Sequence, residues 1–161
     1  MLSDKRVEIR EKCIEVLKSH EYTVDTSHDR KGNVRIYREQ NGDKFALVDV
    51  DIVGLKKGSV RVIVKIEEDN TPKTILGNVA TVDIANACSV HASGSDRKMV
   101  PLNGVVLFIV TPVSSEYAKT RPLVQMLKDR YNFMEGCMRD FIVTDEDAFE
   151  NELADLELYV M

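Results

Sequence analysis

Apolar positions near the start of the chain recur at helical spacing. Residues 3–19 place Ile9, Cys13 and Leu17 on one side, with charged residues over most of the remaining surface. Apolar side chains three to four positions apart lie on one face of an α-helix. The pattern therefore predicts an amphipathic first helix that buries this face.

Three segments with the spacing of β-strands follow this helix. They are Val34–Arg38, Phe45–Val53 and Val60–Glu67. Two turns separate them, Gln40–Asp43, which contains Asn-Gly, and Gly54–Gly58. Asn and Gly tolerate the positive φ of a tight hairpin, and the last segment alternates apolar and polar residues. We predict a three-strand meander.

The second half of the chain alternates helices with strands. A helix begins at Thr71 and Pro72, since Thr is a favourable N-cap and Pro fits the first turn, and it runs to about Cys88. Residues 91–102 are expected to form a loop. The nearly unbroken apolar run 104–110 predicts a strand covered on both faces, which is typical of parallel pairing after a crossover helix. The later elements are a helix over 114–130 bent near Pro122, a short strand over 140–143, and a final helix capped by 144–147.

Composition narrows the class of protein. With 161 residues, 43% hydrophobic and 30% charged, the chain is expected to form one domain over residues 1–161. Its N-terminus is charged, and no apolar run approaches the roughly 20 residues that span a bilayer. We therefore expect a cytoplasmic protein with no membrane partner. The three cysteines and three histidines lack the spacing of a disulfide framework or a zinc site.

Charge is distributed unevenly along the chain. The net charge is −5, but the segment 133–161 contains nine acidic residues and one basic residue. Residues 1–132 therefore carry a small positive charge. An acidic C-terminal segment on a mildly basic body permits a local nucleic-acid surface without requiring one.

Acidic and basic residues alternate on two of the predicted strands. Asp49 and Asp51 lie two apart on the second strand, and Lys65 and Glu67 do so on the third, so each pair shares a face. Converging carboxylates bind hard divalent cations, and a nearby Lys can position water for phosphodiester cleavage. The alternative is a solvent-exposed face with cross-strand ion pairs. However, burying an Asp in so apolar a strand is costly unless charge or metal compensates it.

The segment DVDIVGLKKGSVRVIVKIE, residues 49–67, lies within an α-β-β-β-α-β order. It resembles the PD-(D/E)xK restriction-endonuclease-like nuclease superfamily. The resemblance implies an α/β fold with an αβββαβ core, a mixed central sheet flanked by helices, and a C-terminal αβα extension. In that family an Asp near the end of the second strand joins an acid-x-Lys triplet on the third. Asp51 falls at the position of the Asp, whereas Lys65-Ile66-Glu67 has the triplet reversed.

This resemblance implies a metal-dependent nuclease. Its catalytic residues would be Asp51, Lys65 and Glu67, and its ligands for Mg²⁺ or Mn²⁺ would be Asp51, Glu67 and Asp49. The reversal leaves two expectations open. In the first, Glu67 still serves as a metal ligand, and the ammonium group of Lys65 or Lys73 takes the role of the motif's Lys. In the second, the fold persists as a catalytically inactive binding module. Under the first, Mg²⁺ or Mn²⁺ supports nicking, and Asp51→Ala and Glu67→Ala abolish it without unfolding the domain.

Basic residues beside these strands are candidates for nucleic-acid contact. They are Lys56, Lys57, Arg61 and Lys73, and backbone contacts need little more than well-placed positive charge. Three classes of protein remain: a nuclease, an inactive nuclease-like module, and a protein-interaction or oligomerising domain that uses the acidic C-terminal helix. The expected partners are accordingly nucleic acid, another protein or a second copy of the chain. No GxGxxG or GxxxxGK[ST] motif indicates a nucleotide-binding fold.

Overall fold

The chain forms helices and strands in the α/β class predicted from its sequence. The computed structural model describes residues 4–26, 34–69, 71–91, 97–113, 117–130 and 135–160. The helices in these residues are α1 (Asp4–Ser19), α2 (Pro72–Ile84), α3 (Tyr117–Arg130) and α4 (Phe149–Val160). The strands are β1 (Thr23–Asp25), β2 (Val34–Gln40), β3 (Asp43–Val50), β4 (Ile52–Lys56), β5 (Ser59–Ile66), β6 (Ala87–His91), β7 (Arg97–Pro101), β8 (Val105–Thr111) and β9 (Met138–Asp145).

The strands are arranged in two sheets. The first has the order β1-β4-β5-β8-β9, in which β4 is antiparallel to β1 and β5. Strand β8 lies parallel to both β5 and β9, and all seven of its residues are buried. The parallel pairing predicted for the apolar run is therefore confirmed. The second sheet has the order β3-β2-β6-β7 and is antiparallel throughout.

Alternate residues of the central strands face two separate cores. Val62, Val64 and Ile66 of β5 pack in a core that includes residues of α1 and α4. Ile63 and Leu107 pack in the other core, which includes residues of α2, α3 and the four-stranded sheet. Neighbouring residues of a strand point to opposite faces, so β5 contributes to both cores. The five-stranded sheet is consequently the middle layer, with α1 and α4 on one face and α2, α3 and the second sheet on the other.

The predicted second strand is interrupted at Asp51, and this corrects the predicted meander. Its first part, β3, pairs with β2 in the four-stranded sheet, whereas its second part, β4, pairs with β5 in the five-stranded sheet. The two hairpins therefore belong to different sheets. Both faces of the chain are apolar around this point, because Val50 belongs to one core and Ile52 to the other. That double-sided burial lets one extended segment pass between the sheets.

The two hairpins close through two-residue turns. Asn41 and Gly42 have φ angles of 53° and 84°, which confirms the predicted Asn-Gly turn. The second turn consists of Lys57 and Gly58, with φ angles of 53° and 77°, rather than the five residues predicted. Gly54 lies within β4, where it is buried. The run of glycine and lysine thus overstated the length of the turn.

The helix predicted from Thr71 begins as expected but ends early. Thr71 accepts a hydrogen bond from the Thr74 N–H as the N-cap, and Pro72 occupies the first turn. The helix ends at Ile84, not near Cys88. The reason is Asn86, whose side chain bonds the N–H and C=O of Glu39 at 2.7 and 2.8 Å and directs the following residues into β6.

The remaining elements differ from the predictions mainly in extent. The predicted loop 91–102 contains β7, and the predicted strand 140–143 is extended at both ends in β9. Pro122 lies inside α3, and Asp145 accepts hydrogen bonds from the N–H groups of Asp147 and Ala148 just before α4. Residues 92–96 of the predicted loop and residues 114–116 of the predicted helix lie outside the described residues. The finer expectation of a restriction-endonuclease-like core stays a prediction. None of the described helices is long and apolar enough to cross a membrane.

Candidate functional site

Asp51 lies at the junction between the two sheets and is 1% exposed. Its N–H donates to the Val64 carbonyl at 3.0 Å, and its Oδ2 accepts from the Ile66 N–H at 2.7 Å. Arg6 of α1 donates through Nη2 to both carboxylate oxygens, at 3.1 and 3.2 Å. A buried carboxylate needs a compensating charge and hydrogen bonds. Arg6 and the Ile66 N–H supply both.

The other predicted members of the strand pair have separate partners. Arg35 of β2 lies opposite Asp49 and donates through Nε to its Oδ1 at 2.8 Å. Lys65 donates through Nζ to the Asp49 backbone carbonyl at 2.9 Å. Asp49 and Arg35 thus form a cross-strand ion pair. The Lys65 ammonium therefore contacts the backbone of β3, two residues before Asp51.

Glu67 is contacted from α2. Its Oε1 accepts from the Asn78 Nδ2 at 3.1 Å. Helices α1 and α2 cover opposite faces of the five-stranded sheet, so the partners of Asp51 and Glu67 come from opposite sides. No group of three or more acidic, histidine or cysteine side chains within metal-binding reach occurs among the described residues. A divalent ion shared by Asp51, Glu67 and Asp49 stays a prediction.

A second buried carboxylate at the same edge of the sheet is also neutralised by α1. Glu146 follows β9, and its side chain is 4% exposed. Lys5 and Lys12 of α1 lie 2.6 and 3.6 Å from its carboxylate oxygens. Burial raises the pKa of the Cys13 thiol to about 12, and the charges of Asp51 and Glu146 add to the rise. Both acids therefore lie close to the middle of α1.

Sequence reasoning missed this cluster, although a signal for it was present. Arg6 lies three residues before Ile9 and seven before Cys13, so it continues the apolar stripe of α1. A basic residue on a buried stripe is unusual without an acidic partner. The identity of that partner, 45 residues away in the chain, could not be read from the stripe alone.

Replacing Glu146 should change the pH dependence of stability. Burial alone would raise the pKa of Glu146, but the hydrogen bond and charge of Lys5, with the charge of Lys12, leave this pKa below its usual 4.5. The same hydrogen bond raises the pKa of Lys5 above 10.5. A carboxyl group with a lowered pKa stabilises the fold above its unfolded value and loses that effect as the pH falls. The contribution of the pair is thus present between about pH 4.5 and 10.5 and declines outside that window.

We expect Glu146→Gln to be less stable than the wild-type protein at pH 7 and to lose less stability between pH 5 and pH 3. Urea unfolding at a series of pH values measures both effects. Glu150→Gln, which alters a more exposed acid of α4, is the control and should follow the wild-type curve more closely. An unchanged slope in Glu146→Gln would show that the Lys5 contact does not alter the Glu146 pKa.

A pocket lies at the opposite end of the strands of the five-stranded sheet, where β5, β8 and β9 begin. Its cavity volume is about 160 Å³. Its lining consists of Tyr22, Lys56, Lys57, Arg61, Gly104, Val106, Arg139, Leu156 and Glu157. Val106 faces the core beneath α1 and α4, so the pocket opens on that face. Arg61 and Ile66 are five residues apart on β5, which separates the pocket from the Asp51 carboxylate by roughly 16 Å.

Four basic side chains and one acidic side chain meet at this pocket. Lys56 lies over the Tyr22 ring, with Nζ 4.4 Å from the ring centroid, and 3.9 Å from Glu157 Oε1. His20 Nδ1 also lies 3.2 Å from the same Glu157 oxygen. Lys57, Arg61 and Arg139 are exposed. In the interior of the pocket, the charge of Lys56 is paired with that of Glu157, whereas the mouth of the pocket is basic.

Three of the four predicted nucleic-acid contacts are brought together here. Lys56, Lys57 and Arg61 line the pocket, and Arg139, which the sequence analysis did not select, joins them. Arg139 reaches this position because β9 lies parallel to β8, which aligns the starts of both strands. Lys73 is exposed at the start of α2, beyond the other end of β5, and is not part of the pocket lining.

Comparison with known proteins identifies no relative. No family model, curated protein or solved structure matches the chain. Function must therefore be argued from the chemistry of the two edges of the sheet.

Proposed function

We propose that this protein is a nucleic-acid-binding module with a nuclease-like architecture and no hydrolytic activity. The observation that carries the proposal is the convergence of Lys56, Lys57, Arg61 and Arg139 at one pocket. Positive side chains that meet on one surface attract the phosphates of nucleic acids and release their condensed counterions.

The contacts of the candidate catalytic residues favour binding over hydrolysis. A metal ligand must present free carboxylate oxygens to the ion. Both oxygens of Asp51 accept hydrogen bonds from Arg6, so a metal ion would have to displace this guanidinium. The Glu67 carboxylate is contacted from the opposite face of the sheet by Asn78.

The sequence around Lys65 gives a second reason. The family motif has its acid two residues before the Lys. That position is occupied here by Ile63, which is fully buried in the core between the sheets. If Lys65 corresponds to the Lys of the motif, the acidic ligand is absent and an apolar core residue replaces it. The nuclease hypothesis then requires Glu67 to be the second metal ligand beside Asp51.

The number of basic residues predicts moderate, salt-sensitive binding. Lys57, Arg61 and Arg139 are the exposed members of the group. One phosphate contact from each to a single strand gives a slope of about −2 for log K against log salt, so the binding constant should fall roughly twentyfold between 50 and 200 mM salt. The acidic Glu157 also lines the pocket, so we expect a Kd in the range of non-specific binding, roughly 10⁻⁴–10⁻⁶ M at physiological salt. Steep salt dependence without cleavage is the expected signature.

Charge reversal at the pocket tests the proposal. We expect Lys57→Glu/Arg61→Glu to weaken binding of a fluorescein-labelled single-stranded oligonucleotide at least tenfold and to flatten the salt dependence. Fluorescence anisotropy at 50–200 mM salt measures both. The control is Lys44→Glu/Lys98→Glu, which makes the same change in net charge on the edge strands of the other sheet. It should retain most of the wild-type affinity.

A cleavage assay distinguishes the two classes of function. We expect no product from labelled duplex or single-stranded substrates in Mg²⁺ or Mn²⁺. Metal-dependent product that disappears in both Asp51→Asn and Glu67→Gln, with the fold retained, would overturn the non-hydrolytic proposal. Equal loss of affinity in the pocket variant and its charge-matched control would refute the proposed binding surface.

A further inference from the structure

Three basic side chains at the mouth of the pocket form no ion pair within the part of the chain that the structure describes. Among the described residues, no ion pair includes Lys57, Arg61 or Arg139. Lys56, by contrast, lies over Tyr22 and near Glu157. The uncompensated positive charge is therefore concentrated at the mouth, and an anionic ligand would meet it there.

The walls of the pocket can accommodate a small, partly apolar group attached to that anion. Val106 and Leu156 provide apolar surface beside Tyr22, and Gly104 has a φ of 69° with no atom within 4 Å of the position of a Cβ. The absence of a side chain at Gly104 leaves room at the lip of the pocket.

The charge at the mouth matches a dianion better than a monoanion. A phosphomonoester carries about −1.5 to −2 charges at pH 7 and three acceptor oxygens. An internal phosphodiester of a nucleic acid carries a single charge and has two free oxygens. Two guanidinium groups and one ammonium group can donate to all three oxygens of a terminal phosphate.

We infer that the pocket binds a phosphomonoester attached to a nucleoside, with the phosphate at Lys57, Arg61 and Arg139 and the nucleoside against Val106 and Leu156. The inference rests on the proposed nucleic-acid binding and narrows it to the phosphorylated end of a strand. A free nucleoside monophosphate offers the same chemical group, so the experiment separates the two sources.

The experiment compares ligands that differ only in the terminal phosphate. Titrations of the full chain use a 5′-phosphorylated ten-nucleotide DNA, its 3′-phosphorylated and unphosphorylated counterparts, a circular single strand, AMP and adenosine. We expect a terminal phosphate at one end to tighten binding about tenfold, since charged hydrogen bonds contribute about that much. AMP should bind and adenosine should not, and AMP should shift the backbone amide resonance of Gly104.

Arg139→Gln provides the matched test. It should lower the affinity for the phosphorylated strand by a larger factor than the affinity for the unphosphorylated strand, so that the difference between the two strands is lost. Arg130→Gln, an exposed arginine at the end of α3, is the control and should retain the full difference.

Each pattern of binding supports or refutes a separate claim. Equal affinity for phosphorylated, unphosphorylated and circular strands would overturn the phosphomonoester inference and leave the proposed function standing. Binding of AMP and phosphorylated ends, with no affinity for the circular strand, would support the pocket and overturn general binding along a strand. Absence of binding by every ligand would overturn both.

Discussion

Arg6→Met should lower the free energy of unfolding by about 3 kcal/mol, which is the lower end of the cost of leaving a buried charge without its partner. Asp51 is 1% exposed. Without Arg6, the carboxylate would keep the hydrogen bond from the Ile66 N–H but would have lost its compensating positive charge. The lower end applies because the Arg6 side chain is 21% exposed and water can approach the pair. Urea unfolding at pH 7 measures the change.

The double variant Arg6→Met/Asp51→Asn tests the reason for this loss. An amide at position 51 removes the charge but keeps an oxygen for the Ile66 N–H, so the double variant should recover a substantial part of the lost stability. Lys18→Met on the exposed part of the same helix is the control, and its effect should stay within about 0.5 kcal/mol. A loss in Arg6→Met no greater than in this control would contradict the role assigned to the Arg6–Asp51 pair.

Phe149→Ala should destabilise the fold by about 3–5 kcal/mol, the usual cost of truncating a buried Phe. The Phe149 ring packs edge-on against Phe108, with ring centroids 5.1 Å apart and an angle of 84° between the planes. This contact attaches the start of α4 to β8, and the later part of α4 supplies Leu156 and Glu157 to the pocket. Thermal or urea unfolding measures the loss of stability.

The same variant should weaken ligand binding at the pocket, because α4 forms one of its walls. Phe149→Leu retains most of the apolar volume and should lose less on both measures. Phe45→Ala removes a ring of the same size that is 54% exposed, and we expect little change in stability or binding. Similar losses in Phe45→Ala and Phe149→Ala would mean that the contact with Phe108 does not hold α4 in place.

Local patterns predicted the elements whose causes lie within a few residues. The apolar stripe of α1, the Asn41-Gly42 turn and the Thr71-Pro72 start of α2 each depend on neighbouring residues alone. The apolar run of β8 likewise indicated burial on both faces, because no position in it can face water at low cost. The three basic residues Lys56, Lys57 and Arg61 were close enough in sequence to be grouped.

Tertiary structure alone decided how these elements form two sheets and two charged edges. An apolar segment such as residues 45–53 is compatible with several strand partners, and only the packing of both its faces divides it at Asp51. The ion pair between Arg6 and Asp51 joins residues 45 positions apart, and Arg139 comes beside Arg61 through β8. Periodicity determines which side of an element is buried, but the partner that covers it is chosen by long-range packing and charge compensation, which no local pattern contains.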